Sequence, residues 1–258
     1  MDGAAGAVHP AGMSELKERI ALITGAQQGI GAACALACAR AGADIALNWL
    51  DQEPLALAAE IRALGRRCAL LQGDVASVAG VRALHAAAVA ALGVPDVLVN
   101  NAGIFPRCDF LEMEEAEWDA VLGLNLKAGA FLTQAFARAL EGRPGAVINL
   151  SSSAVRGDPR GVHYSSSKNG IIGLTRATAL ALAARGIRVN AIAPGLTDTA
   201  QPRHGNTEEE LVARAATIPL ARMGQPSEIA DLAVFLASNR TAWVTGQVWH
   251  INGGLYLA

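Results

Sequence analysis

The stretch Ile20-Ala-Leu-Ile-Thr-Gly-Ala-Gln-Gln-Gly-Ile-Gly31 is the strongest indication in the sequence of an α/β fold. Residues 20–24 are an apolar run typical of a buried strand, and a helical pattern follows at residues 32–41. Three glycines lie between the two elements. Because glycine has no side chain, Gly25 and Gly29 permit a tight turn with close approach of a ligand to the backbone, and Gly31 lets the helix pack against the strand.

The alternation of strand and helix continues along the whole chain. Short β-branched or leucine-rich runs, separated by alanine-rich helical stretches, occur at residues 20–24, 44–49, 68–72, 96–100, 146–150, 187–192 and 247–251. Parallel strands need helical crossovers, so this pattern predicts one doubly wound α/β domain of the Rossmann type, with a seven-stranded parallel sheet and helices on both faces. We assign residues 13–258 to this domain and residues 1–12 to a flexible N-terminal extension.

Composition argues against several classes of protein. The net charge is −2 and the basic residues are scattered, so a nucleic-acid partner is not expected. Every 18-residue stretch contains a charge or a glycine break, and residues 1–12 lack the apolar region of a secretory signal. Disulfide frameworks are typical of short secreted chains, so four cysteines in 258 residues do not indicate one. We therefore expect no membrane partner and a cytoplasmic location.

Two cysteines, Cys34 and Cys38, lie four residues apart in the first predicted helix. No nearby histidine or cysteine completes a tetrahedral ligand set. We interpret both as small buried apolar side chains and predict no metal site.

The glycine-rich turn predicts a nucleotide site. It lies between the first strand and a helix, where the helix N-terminus favours the negative charge of a pyrophosphate. This context favours nucleotide binding over a purely structural turn.

The spacing Thr-Gly-x-x-x-Gly-x-Gly resembles that of the short-chain dehydrogenase/reductase family. Further family motifs follow in the expected order, namely Asn100-Asn101-Ala102-Gly103, Asn125, Ser151-Ser152, Tyr164-x-x-x-Lys168 and Pro194-Gly195. The match covers about residues 16–255, and it is similar to sugar (aldose) 1-dehydrogenases and 3-oxoacyl reductases. The resemblance implies an NAD(P)-dependent oxidoreductase that transfers a hydride between nicotinamide and a secondary alcohol or carbonyl.

The resemblance also implies a set of cofactor contacts. They are Gly25, Gln28, Gly29, Ile30, Gly31, Trp49, Asp74, Val75, Asn101, Ala102, Gly103, Tyr164, Lys168, Pro194, Gly195 and Thr197. Two of these residues keep a structural alternative, since Asp74 could cap the next helix and Asn101 could order a turn.

The choice between NAD and NADP depends on the end of the second strand. Trp49 occupies the position where NAD-preferring members carry an acid for the ribose hydroxyls. Gln28 and Leu50 stand where NADP-preferring members carry cations. Asp51 would repel a 2′-phosphate if it points inward. The sequence favours NAD slightly and leaves dual use open.

A tyrosine and a lysine form the predicted catalytic pair. Tyr164 and Lys168 are four residues apart in a helical segment, so they share one face. The ordinary tyrosine pKa is about 10, and a nearby ammonium favours the phenolate. By resemblance, Tyr164 is the general acid/base, Lys168 also holds the nicotinamide ribose, Asn125 orders a water, and Ser152 binds the substrate oxygen.

The identity of the catalytic serine depends on the register chosen. The family's usual spacing to the tyrosine selects Ser151, whereas alignment of the strand end selects Ser152. We prefer Ser152, because strand periodicity determines side-chain direction more firmly than loop length does.

The substrate is the least specified part of the prediction. We expect a sugar or polyol, contacted by Ser152, Arg156, His163 and Tyr164, with residues 196–217 either closing over it or forming a solvated acidic helix start. A 3-oxoacyl thioester reductase is the alternative, with Arg107, Arg156 and Arg160 as a basic surface for an acyl carrier. A non-catalytic nucleotide-binding regulator is disfavoured by the complete catalytic set.

The assembly is predicted from apolar surfaces. The helix at residues 171–184 is apolar around most of its circumference, and the tail at residues 241–257 offers a second interface. We expect a homotetramer with dihedral symmetry.

Overall fold

A single seven-stranded sheet organises the computed structural model, which describes residues 15–257. All strand pairs are parallel, in the order β3-β2-β1-β4-β5-β6-β7. The strands are β1 (Ile20–Ile23), β2 (Asp44–Trp49), β3 (Cys68–Gln72), β4 (Val97–Asn100), β5 (Gly145–Leu150), β6 (Ile187–Pro194) and β7 (Val248–Ile251). The predicted doubly wound α/β fold is confirmed. The extension predicted at residues 1–12 lies outside the described residues.

Helices connect the strands and cover both faces of the sheet. They are α1 (Gly29–Arg40), α2 (Leu55–Ala63), α3 (Val78–Leu92), α4 (Glu115–Leu122), α5 (Ala128–Ala139), α6 (Val162–Leu182), α7 (Ala200–Arg203), α8 (Glu208–Ala216) and α9 (Pro226–Ala237). A π-helical segment, Gly123–Lys127, joins α4 to α5. The predicted bounds of β2 and β3 are those observed, and those of the other strands differ by one or two residues. The largest difference is at β6, which pairs with β7 as far as Pro194.

Two apolar layers pack against the sheet. On one face, α1 and α9 bury Cys34, Cys38 and Ala233 with the strand side chains. On the other face, α3 and α5 bury Leu84 and Phe136. Full burial raises the pKa of the Cys38 thiol to about 12, so both cysteines behave as small apolar side chains of the core. The two layers leave the carboxyl ends of the strands free for a site.

One helical run, Glu115–Ala139, is long and apolar enough to cross a membrane by length and composition alone. Leu132 and Phe136 in this run are buried against the sheet. A core helix of a folded domain has the same properties, so the run is weak evidence for a membrane span.

The region at residues 196–217 contains more helix than the sequence pattern indicated. Both α7 and α8 lie in it, and α8 begins with a capping box between Thr207 and Glu210.

On the outer face of α6, Leu180 is 83 % exposed in the single chain. An uncovered leucine fits the homotetramer, which stays a prediction.

Candidate active site

The turn between β1 and α1 has a backbone that only glycine adopts easily. Gly25 and Gly29 have φ values of +59° and +57°, in the left-handed region where a Cβ is strained. A Cβ on Gly31 would overlap the Gly25 carbonyl oxygen and lie 2.5 Å from Asn101 Nδ2. Gln28, the N-cap residue of α1, makes no side-chain cap. The turn therefore presents bare backbone and a helix N-terminus, which fit a pyrophosphate.

Side chains from two neighbouring strands hold this turn in place. Asn101 Nδ2 donates to the carbonyl oxygens of Thr24 and Gly25 at 2.9 and 3.0 Å. Asn48 Oδ1 accepts from the Gly25 amide at 3.2 Å. The Asn101 side chain thus performs the turn-ordering role that the sequence left open. Asn48 was missed, although a buried asparagine at the end of an apolar strand is a detectable signal.

We predict that Gly31→Ala destabilises the protein and weakens dinucleotide binding. The new methyl group meets backbone and a hydrogen-bonded amide, and overpacking of this kind costs about 1–3 kcal/mol. Thermal unfolding measures the loss of stability. Gly65→Ala is not a suitable control, because Gly65 has a positive φ and an alanine there would itself be strained. Gly173→Ala is the better control, because a Cβ there meets nothing within 4 Å. Equal melting temperatures for the two variants would contradict the close-packing argument.

Asp51, two residues after the end of β2, is directed toward Gln27 in the glycine turn. Its Oδ1 accepts a hydrogen bond from Gln27 Nε2, and Gln27 Oε1 accepts one from the Leu50 amide at 2.8 Å. Trp49 packs against the α1 core, and its Nε1 is buried without a partner among the described residues. Its side chain carries no acceptor for the ribose hydroxyls. The Asp51 carboxylate places a negative charge beside the turn, which would repel a 2′-phosphate bound there.

We predict that Asp51→Arg shifts cofactor preference toward NADP. The change removes a repelling carboxylate and adds a guanidinium that can pair with the 2′-phosphate, which together are worth about tenfold in relative affinity. Fluorescence titration with NADH and NADPH measures the ratio of the two dissociation constants. The matched control is Glu53→Arg, an exposed acid two residues further along. A ratio unchanged in Asp51→Arg would contradict this account of the preference.

The remaining predicted cofactor contacts lie around the same cleft. Asp74 is exposed and accepts from the Ala76 amide at 2.8 Å, while Ser77 provides the cap of α3, so Asp74 is not the helix cap. The loop after β6 packs against the glycine turn. Its Thr199 side chain is so close to Gly29 that a Cβ added to Gly29 would lie 3.3 Å from Thr199 Cγ2. Ile30, Val75, Ala102, Gly103, Pro194, Gly195 and Thr197 occupy the turn and the strand ends at this edge of the sheet.

Tyr164 and Lys168 lie together on α6, as their spacing predicted. Both side chains are buried, and Lys168 Nζ is 5.4 Å from the centroid of the Tyr164 ring. Lys168 Nζ donates to the Leu150 carbonyl oxygen, at the end of β5, at 2.8 Å. Gly103 lies close to both Asn125 and Lys168, since a Cβ added to it would be 3.0 Å from Asn125 Oδ1 and 3.7 Å from Lys168 Nζ. The fold therefore brings Asn125, Tyr164 and Lys168 to one side of the cleft.

Asn125 occupies the π-helical segment between α4 and α5. Its Oδ1 accepts from the Ile104 amide, and its Nδ2 donates to the Ile104 carbonyl, both at 2.9 Å. Nδ2 also donates to Ser167 Oγ at 3.2 Å. Asn125 thus joins α6 to the loop after β4, and π-helical turns often occur at functional sites. Its role in ordering a water stays a prediction.

The two candidate serines have different surroundings. Ser151 is buried, and its hydroxyl donates to the Lys168 carbonyl oxygen at 2.9 Å. Ser152 is partly exposed and faces the Tyr164 phenol, where a hydrogen bond between them acts to lower the pKa of Tyr164. The placement favours Ser152 over Ser151 as the residue that meets a substrate oxygen.

The pKa of Tyr164 differs from the sequence expectation. Burial raises this pKa above its ordinary value, and hydrogen bonds from Ser152 and Gln201 only partly oppose the rise. Lys168 is not among the groups that lower it, because Lys168 has lost its own proton in the pH range where the phenol ionises. Burial also lowers the pKa of Lys168 to about 8. In this structure Tyr164 holds its proton at neutral pH, the form required of a general acid.

Three residues beside Tyr164 were not assigned to the catalytic site from the sequence. The Phe105 ring stacks on the Tyr164 ring with centroids 4.1 Å apart. Gln201 reaches the phenol from α7, and Arg107 adds a nearby positive charge. A Cβ on Gly161 would overlap the Phe105 ring, so this glycine makes room for the stack. No local pattern marks Phe105 or Gln201, since both arrive from distant segments.

Two predicted substrate contacts are placed away from the phenol. His163 is fully buried, its Nδ1 accepts from the Tyr164 amide, and its Nε2 lies 3.6 Å from Cys108 Sγ. Its ring is engaged in packing, so we do not retain it as a substrate contact. Arg156 is exposed and donates to the Leu255 carbonyl at 3.3 Å, which directs it to the C-terminal tail.

A glycine cradle beside a buried tyrosine–lysine pair, at the carboxyl edge of a parallel sheet, defines a dinucleotide-dependent oxidoreductase. The family model described as enoyl-(acyl carrier protein) reductase matches residues 25–256. This chain belongs to the short-chain dehydrogenase/reductase family, and it is an NAD(P)-dependent oxidoreductase.

Relatives with different named substrates are similar over nearly the whole chain. The 3-oxoacyl-(acyl-carrier-protein) reductase of Staphylococcus aureus is 42% identical over 245 residues, covering 92% of this chain and 98% of the relative. The 2-dehydro-3-deoxy-D-gluconate 5-dehydrogenase of Escherichia coli is 38% identical over 244 residues, covering 93% and 96%.

A solved structure gives a third similarity. It is a protein of Agrobacterium tumefaciens, provisionally named a 2-deoxy-D-gluconate 3-dehydrogenase, with bound NADP. The TM-score is 0.85 and the identity 37%, covering 93% of this chain and 96% of the other.

Proposed function

We propose that this enzyme interconverts a secondary alcohol and the corresponding ketone of a sugar or polyol, with Tyr164 as the general acid/base. The observation that carries the proposal is the surroundings of the Tyr164 phenol, which is buried and faced by the side chains of Ser152 and Gln201. A hydroxyl and an amide beside one proton donor suit a substrate rich in hydroxyl groups.

The residues that would hold the dinucleotide are those of the glycine cradle and the loop after β6. Gly25, Gly29 and the N-terminus of α1 suit the pyrophosphate, and Lys168 lies where it can donate to the nicotinamide ribose. When bound, nicotinamide accepts or supplies the hydride.

The protein's own groups handle the proton. In the reducing direction, the Ser152 hydroxyl donates a hydrogen bond to the ketone oxygen, and the Tyr164 phenol transfers its proton to that oxygen as the alcohol forms. In the oxidising direction, Tyr164 takes the proton from the alcohol oxygen. Lys168, with its pKa near 8, supplies a positive charge that stabilises the phenolate left after the transfer. Phe105 covers one face of the Tyr164 ring and excludes water from it.

The relatives support a substrate of the sugar class without specifying it. Two of them are named for derivatives of gluconate, from Escherichia coli and Agrobacterium tumefaciens. The Staphylococcus aureus relative supports the second candidate, reduction of a 3-oxoacyl thioester.

The experiment that separates these candidates is a substrate panel. NADH and NADPH are first titrated by fluorescence, and the preferred cofactor is then assayed with aldoses, polyols, aldonic acids and acetoacetyl thioesters at pH 7 to 9. We expect dinucleotide binding with turnover of a sugar-class substrate. Turnover confined to the thioester would replace the proposal by the second candidate.

A further inference from the structure

Three arginines converge at the rim of the Tyr164 cleft. We call Arg107, Arg160 and Arg214 the arginine cluster; they come from the loop after β4, the turn before α6, and α8. Arg160 and Arg214 both donate to Asn206 Oδ1, at 3.5 and 3.3 Å. Arg107 is close enough to both for their charges to lower its pKa, in addition to the effect of burial. One asparagine oxygen therefore lies between two cationic side chains, with the third close to both.

The arginine cluster lies next to the reacting phenol. The Arg107 guanidinium carbon is 4.7 Å from the centroid of the Phe105 ring, which in turn stacks on Tyr164. A Cβ on Gly205 would lie 3.5 Å from the Arg107 guanidinium. Gly205 and Asn206 belong to the same segment as Gln201, which reaches the phenol. The segment that brings Gln201 to the phenol thus also contacts Arg107 and contributes Arg214 to the cluster.

The arginine cluster has no ion-pair partner among the residues that the structure describes. Among residues 15–257, no carboxylate lies within 4.0 Å of any of the three guanidinium groups. The charge of Asp158 acts on Arg107 from a greater distance, and Asp158 Oδ1 accepts from the Arg160 backbone amide. Glu208 at the start of α8 pairs with Arg203 instead. Like charges held together cost free energy, and an anionic ligand removes that cost.

We propose that the arginine cluster binds the carboxylate of the substrate, so that the preferred substrate is a sugar acid rather than a neutral sugar. The inference rests on the proposed function, because it places the reacting carbinol or ketone at Tyr164 of the same cleft. Guanidinium groups bind carboxylates in a bidentate, charge-assisted manner. Arg107 is partly buried against Phe105, which suits an anion on a compact molecule inside the cleft better than one on the surface of a carrier protein.

The test compares acids with their neutral amides. The wild-type protein, Arg107→Gln, and the double variant Arg160→Gln/Arg214→Gln are assayed with a panel of aldonic and keto-aldonic acids and the corresponding primary amides. The control is Arg82→Gln, an exposed arginine on α3 outside the cleft. For Arg107→Gln we expect kcat/KM for the acids to fall about thirtyfold more than kcat/KM for the amides. Equal effects on acids and amides, or equal wild-type kcat/KM for both, would overturn the inference.

A binding measurement separates this inference from the proposed function. Thermal shift of the cofactor-loaded protein is measured with D-gluconate and with D-gluconamide. A rise in melting temperature with gluconate but not with gluconamide, lost in Arg107→Gln, supports carboxylate binding by the cluster. If that rise is seen but no sugar is turned over, the inference stands and the proposed function fails. Turnover of neutral polyols, with acids turned over no better than their amides and affected equally by Arg107→Gln, keeps the proposed function and overturns the cluster. No shift with gluconate and no turnover of any acid also overturns it.

Discussion

Replacement of Tyr164 by phenylalanine is expected to lower kcat about a thousandfold or more while leaving dinucleotide affinity unchanged. The variant keeps the ring that stacks on Phe105 and loses only the hydroxyl that Ser152 and Gln201 face. General acid–base catalysis contributes about 10²–10⁴-fold to rate, and here no second proton donor replaces the phenol. Steady-state kinetics with the preferred substrate and a fluorescence titration with the cofactor measure the two quantities.

Tyr256→Phe is the matched control, because the sequence contains two tyrosines and Tyr256 is the other one. Its ring lies against His250, with the centroids 5.1 Å apart. We expect this variant to retain activity. Substantial turnover in Tyr164→Phe would remove Tyr164 from the role of acid/base and leave Lys168 or a bound water as the proton donor.

Replacement of Lys168 by methionine is expected to cost activity and to increase stability. Lys168 is 5% exposed, and burial lowers its pKa from 10.5 to about 8, so its charged form is disfavoured in the folded state. At 1.36 kcal/mol per pKa unit, removing this charge is worth on the order of 1–3 kcal/mol of stability, less the hydrogen bond to Leu150. Turnover should fall about a hundredfold or more, because the phenolate of Tyr164 loses its nearby cation.

The pH dependence of stability gives a sharper measurement of the same effect. Between pH 8 and 10.5 the unfolded chain holds a proton on Lys168 that the folded chain has released. The free energy of unfolding therefore rises with pH across this window through Lys168. Lys168→Met lacks that rise, so its advantage over the wild type is greatest below pH 8 and disappears above 10.5.

Denaturant titrations of the wild type, Lys168→Met and the exposed Lys127→Met at several pH values measure this difference. Lys127 lies in the π-helical segment, and its side chain is exposed. A Lys168→Met variant that is less stable than the wild type at pH 7 would show that the Leu150 hydrogen bond outweighs the cost of the buried charge.

Local periodicity explains why so much of the fold could be predicted. The apolar runs identify the seven strands, and parallel connections leave few ways to arrange them. The turn at Gly25, Gly29 and Gly31 was also visible, because a positive φ and close packing both require glycine. The Tyr164–Lys168 spacing gave a shared helix face directly, since residues four apart lie one turn from each other.

Side-chain environment could not be predicted in the same way. The sequence suggested that Lys168 lowers the pKa of Tyr164, but the depth of burial dominates this pKa in the folded chain. His163, beside Tyr164 in the sequence, is packed against Cys108 and directed away from the phenol. Neighbours along a helix point to different surroundings, and those surroundings consist of segments that are distant in sequence.

Short-range spacing was enough to predict the parallel sheet, the nucleotide cradle and the tyrosine–lysine pair, because any folded copy of these segments preserves that spacing. The positions of Ser152 beside the phenol, of Asp51 beside Gln27, and of the arginine cluster at one cleft became visible only in the folded chain. These arrangements depend on which loops meet at the carboxyl edge of the sheet. Contacts such as that between Arg160 and Asn206, which are 46 positions apart, arise from packing and leave no periodic signal in the chain.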